Sequence, residues 1–68
     1  MGFDIEIAGN ISDSVRNRLI EMVGDAALAQ LPGRVVVTVD DQAAMIGVVH
    51  RLNDLGLDID RIERVAAA

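Results

Sequence analysis

Pro32-Gly33-Arg34-Val35-Val36-Val37-Thr38-Val39-Asp40-Asp41 decides how this chain is read. Pro-Gly is a turn signal, and the run behind it is the most β-prone in the sequence. Valine on both faces of that run predicts a central strand with both sides at least partly covered. Asp40 and Asp41 are two N-cap candidates, so a helix should follow at once.

Forward of this point the pattern is helical. Ala44, Met45, Val48, Val49, Leu52 and Leu55 share one face of a helix from Gln42 to about Leu55, and Gly56 suits the position just past its end. Leu57-Asp58-Ile59-Asp60 leads into a last strand near Arg61–Val65. Its apolar positions Ile59, Ile62 and Val65 do not alternate cleanly, as a bulge or a late strand start would produce. Ala66–Ala68 reads as a frayed tail.

Backward of Pro32, Ala26–Leu31 has two readings. Its good helix formers could extend the preceding helix, or it could be a short edge strand of a Pro-Gly hairpin. The hairpin signal favours the strand. Before it, Val15, Leu19, Met22 and Val23 make a helical core stripe, with Ser12 as N-cap, Asp13 at the positive helix end and closure near Gly24-Asp25. Phe3-Asp4-Ile5-Glu6-Ile7-Ala8 alternates strictly, which is a half-buried strand.

The order is β-α-β-β-α-β. With right-handed crossovers it predicts an α+β, ferredoxin-like layer, an antiparallel sheet of order 4-1-3-2 with two helices on one face. All 68 residues are expected to form one domain. Asp4, Glu6, Val36, Thr38 and one or more of Arg61, Glu63 and Arg64 should lie on the open sheet face.

Val37-Thr38-Val39-Asp40-Asp41-Gln42, followed by a helix and Leu55-Gly56-Leu57-Asp58-Ile59, is similar to the strand–Asp–helix–LGLxI–strand pattern of ACT-type regulatory domains. Asp41, Gln42, Ala43, Ala44, Met45 and Gly47, with Arg51, Leu52, Leu55, Gly56 and Leu57, resemble more closely a group of small uncharacterised proteins of high-GC bacteria with a DQAAL-x-G helix start and an RL-x-x-LGL helix end. The resemblance implies the fold and dimerisation. From ACT domains it further implies a small ligand near the helix start, at Asp40, Asp41, Gln42 and Ala43. Gln42-Ala43-Ala44 stands where ACT domains often carry a proline-glycine step.

Composition narrows the function. A domain this small buries only about 60% of its unfolded surface, and its core supplies roughly 3–5 kcal/mol. With no cysteine, disulfides and thiolate metal sites are excluded. With 51% hydrophobic residues and a mean hydropathy of +0.36, self-association or a protein partner is the expected means of hiding the surplus. A net charge of −5, six arginines without a lysine, and Phe3 as the single aromatic argue against nucleic acid. No metal site or cofactor is expected, and nothing reads as a signal peptide or membrane span, so a cytoplasmic home is the expectation.

Three side-chain groups stand out. His50 is the single histidine of the chain, and Asp54 follows it at i+4. It is a candidate general base, or a surface histidine. No nucleophile elbow, phosphate loop or dinucleotide fingerprint supplies it with a partner. Ala43, Ile46, Gly47 and His50 are placed on the outer side of the second helix, where small residues and one exposed isoleucine suit a packing interface. Val36, on the open sheet face, is the competing interface residue. The leading expectation is a non-catalytic accessory or regulatory module acting through homodimerisation or a protein partner. The alternatives are an ACT-like small-molecule-binding domain and a small dimeric enzyme using His50 as base.

Overall fold

A computed structural model of the chain describes residues 2–65. The tail expected at Ala66–Ala68 lies outside the described residues. Strand β1 (Gly2–Ala8) leads to helix α1 (Asp13–Val23). A 3₁₀ turn at Asp25–Ala27 and strand β2 (Leu28–Leu31) follow, then β3 (Arg34–Val39), helix α2 (Gln42–Asp54) and β4 (Ile59–Val65). The four strands form one antiparallel sheet in the order β2-β3-β1-β4, which read from the β4 edge is 4-1-3-2.

The sheet has one covered face and one bare face. Phe3, Ile5 and Ile7 of β1 and Val35, Val37 and Val39 of β3 are buried on the covered side, with Leu19 of α1 and Val48 and Leu52 of α2 closing over them. Fully burying such a side chain is worth about 1.5–3 kcal/mol. The alternation in β1 therefore fixes which of its faces the helices cover. The register places Asp4, Glu6, Thr38, Val36, Arg61 and Glu63 on the bare face, and Arg64, opposite Phe3, on the covered one. The Arg64 guanidinium lies 5.7 Å from the Phe3 ring centre, within cation–π range.

Local signals set the element ends. The Ser12 hydroxyl accepts a hydrogen bond from the Val15 N–H at 3.2 Å, and the Asp41 carboxylate accepts from the Ala44 N–H at 2.7 Å. Asp41, not Asp40, is the N-cap of α2. The far end of α2 is a Schellman closure. The Leu57 N–H donates to the Leu52 carbonyl and the Gly56 N–H to the Asn53 carbonyl, with Gly56 at φ +74°. In the hairpin, Gly33 at φ +77° supplies the left-handed conformation that the turn after Pro32 requires.

Two segments divide differently from their sequence pattern. Ala26–Leu31 is neither one strand nor a continuation of α1. It begins as the 3₁₀ turn and becomes a strand at Leu28, where Leu28 pairs with Val37 and Leu31 with Arg34. The strand β4 starts earlier than Arg61, at Ile59, and its pairing with β1 shifts between Glu6 and Ile7. Glu6 faces Arg61 and Ile7 faces Ile59, so Asp60 is the extra residue of a bulge. That bulge returns Ile59 to the covered face, where it packs against the core.

Candidate functional site

The two helices cover the sheet side by side and leave a groove between them. Near the start of α2 the groove opens into a cleft of about 510 Å³, walled by Met22 and Val23 of α1 and by Ala44, Gly47 and Arg51 of α2. Val39, Asp40 and Asp41 close its end. A second cleft of about 500 Å³ continues along the groove between Arg18 and Glu21 of α1 and Asp54 and Leu55 of α2. Met22 and Arg51 line both.

Each wall has a local cause. Gly47 has no side chain, and a Cβ built there meets nothing within 4 Å. The space beside α2 is therefore open at this position. Ala44, four residues from Val48, was expected in the core stripe. It is exposed and faces the cleft instead. Gly47 likewise belongs to the groove side of α2, not to the outer patch with Ala43, Ile46 and His50. The helical spacing placed it within a quarter turn of either side, and the position of α1 decides between them. Ala43, Ile46 and His50 are exposed, with Ile46 at 46%.

The residues expected to bind a ligand are divided by the structure. Asp40 and Asp41 reach the cleft, while the Asp41 carboxylate also holds the first turn of α2. Gln42 and Ala43 are exposed and line neither cleft. His50 lines neither cleft, although Asp54, its i+4 neighbour, lines the second. Among the described residues, no group of three or more His, Cys, Asp or Glu is placed to hold a metal ion. No helix there is long and apolar enough to cross a membrane.

Arg18, Glu21, Met22 and Arg51 were not singled out from the sequence as groove residues. The available signal was Gly47 four residues before Arg51: a missing side chain on one flank of a helix leaves the next residue on that flank facing open space.

The bare sheet face is a polar ladder with apolar margins. Thr38 donates to the Asp4 carboxylate at 2.8 Å, and Arg34 reaches Glu6 at 3.1 Å. Arg61 lies 3.5 Å from Glu63 along β4. Val36 is half-buried among these groups, and Leu31 and Val65 are exposed at 38% each. Ile62, on the β4 edge, is exposed at 44%. No family model, curated protein or solved structure matches the chain.

Proposed function

We propose that this domain is a non-catalytic accessory or regulatory module on a ferredoxin-like frame, acting by association with a second copy or a protein partner. The observation that carries this reading is the distribution of exposed large apolar side chains. Leu31, Ile62 and Val65 all belong to the sheet layer, and Ile46 alone to a helix. A sheet with one bare face and two unpaired edges is the layer that a second body can complete. Sedimentation velocity from micromolar to near-millimolar concentration tests it. The expected result is a mass that rises above the 7.3 kDa of one chain. A strict monomer that also retains no protein from its host's lysate overturns it.

A second reading, the ACT-like one, is favoured by the groove. The 510 Å³ cleft lies at the start of α2, where the resemblance implies a ligand, and its lining combines Arg51 with Asp40 and apolar walls. Such a lining suits a small zwitterion, with Arg51 toward an anionic end and Asp40 toward a cationic one. A thermal-shift screen of the amino acids tests it; a melting temperature unmoved by every one of them removes this reading. The third reading, a His50 base, finds no support in the groove, because His50 is exposed on the other side of α2.

A further inference from the structure

The charges of β4 are arranged as a palindrome of opposite signs. From Asp60 the strand reads Asp60-Arg61-Ile62-Glu63-Arg64. Read outward from Ile62, every charge on one side is matched by its opposite on the other. Arg61 balances Glu63, and Asp60 balances Arg64. One edge of this strand is paired with β1 and the other is the edge of the sheet. Every residue from Asp60 to Val65 is exposed.

We propose that two copies of this chain join through their β4 strands, antiparallel about a two-fold axis at Ile62, into one continuous eight-stranded sheet. The proposal rests on the association reading above and names its partner and surface. In this register Ile62 meets Ile62 of the second copy. Arg61 meets Glu63 of the second copy, and Glu63 meets its Arg61. At the two ends Asp60, the extra residue of the bulge, comes nearest Arg64 of the second copy. Opposite charges directly across an antiparallel pair attract, and like charges repel.

Symmetry leaves few other registers. A two-fold axis normal to a continuous sheet keeps each residue on its own face, so a residue must oppose one an even number of positions away. Moving the axis one residue toward the N-terminus sets Arg61 against Arg61 and Asp60 against Ile62. One residue the other way sets Glu63 against Glu63 and Ile62 against Arg64. Among the axes on charged residues, each begins with a like-charge pair. Ile62 is the position that satisfies every charge and pairs the exposed isoleucines.

The fold adds a reason of its own. Across β1, Glu63 stands opposite Asp4, a like-charged pair on the bare face. Its neighbour Arg61 stands opposite Glu6, which Arg34 already holds, and within the strand lies 3.5 Å from Glu63 as its single cation among the described residues. A second copy brings another Arg61 to Glu63. Charges on an edge strand ordinarily keep it from pairing. This order of charges repels most partners and accepts a second copy in one register. The opposite edge, β2, is four residues long and carries no charge that would set a register.

A charge exchange tests this. The side chains of Arg61 and Glu63 are 61% and 57% exposed, so reversing them leaves the monomer folded, which circular dichroism verifies. Arg61→Glu alone and Glu63→Arg alone should each weaken the dimer about tenfold or more by sedimentation equilibrium. An equimolar mixture of the two variants should recover it as a heterodimer, since one copy is then acidic and the other basic at both positions. Amide hydrogen exchange on the native chain gives a readout free of substitution: β4 amides should slow as concentration rises, and β2 amides should not. A dimer that neither reversal weakens, with β4 exchange independent of concentration, overturns the β4 pairing and leaves association through another surface. A native chain that stays monomeric overturns the β4 pairing and self-association alike, and leaves a protein partner as the form the association reading takes.

Discussion

Ile5 and Ile62 stand directly opposite one another across β1 and β4, on the same face of the sheet. Ile5 has no exposed surface, and Ile62 is 44% exposed. Residue type, strand pairing and sheet face are shared, so the difference comes from what lies above. The side chains of α1 and α2 reach across β1 and β3, and of β4 Ile59 alone, half-buried, packs against the core. The lesson is that two short helices cover the centre of this sheet and leave an edge unfinished. Stability resides in the central pair of strands, and association has the edge at its disposal.

Removing the covered isoleucine should have the largest effect. Ile5→Ala leaves a cavity beneath the helices and should cost about 2–5 kcal/mol. That range overlaps the whole roughly 3–5 kcal/mol that a core of this size supplies. Urea unfolding at low protein concentration should find the variant largely unfolded without denaturant. A loss below about 1 kcal/mol would mean that the helices do not seal this position.

The cover itself is the next target. Asp41→Ala removes the acceptor for the Ala44 N–H at the start of α2 and should cost about 1 kcal/mol. The same substitution at Asp40, whose carboxylate takes no part in the cap, should cost less than half as much. Equal losses in urea unfolding would break the assignment of Asp41 as the cap.

The covered face was legible in the sequence because burial there follows a simple period. Phe3, Ile5 and Ile7 alternate with Asp4 and Glu6, and no other strand reading hides the apolar set. In Val35-Val36-Val37 no such contrast exists. There the mark of the open face is Thr38, two residues after Val36, and the pairing with β1 sets both on the bare side. The segment Ala26–Leu31 is made of good helix formers, and its division between a 3₁₀ turn and a strand follows instead from the reach of the Pro32-Gly33 hairpin. The groove was the least legible part. Helical spacing locates Gly47 relative to its own helix, but the groove exists only where α1 lies beside α2. The Asp40–Asp41 end of the candidate site was visible from capping chemistry; the α1 wall, with Arg18 and Met22, was not. The β4 edge is a mixed case, since its irregular apolar spacing indicates a bulge while its register depends on β1.

On the bare face, the pair between Arg34 and Glu6 offers a smaller test. Glu6 is more enclosed than Arg34, with side-chain exposures of 20% and 54%. Such an ion pair contributes about 0.2–1 kcal/mol. A double-mutant cycle of Glu6→Gln and Arg34→Gln should return a coupling in that range, falling as salt rises. A coupling that grows with protein concentration would show instead that this face is covered in solution.

The smallest expected effect bears most directly on the two isoleucines. Ile5→Val removes one buried methylene and should cost about 1 kcal/mol. Ile62→Val removes the same group where water still reaches it, and at low protein concentration should cost less than about 0.5 kcal/mol. Dimerisation links stability to concentration, because a partner that binds only the folded chain shifts unfolding by mass action. If the β4 strands join at Ile62, the cost of Ile62→Val measured in urea should rise toward that of Ile5→Val at concentrations where the dimer forms. The Ile5→Val cost should stay constant. A cost at Ile62 that does not change with concentration would mean that no second isoleucine comes to cover it.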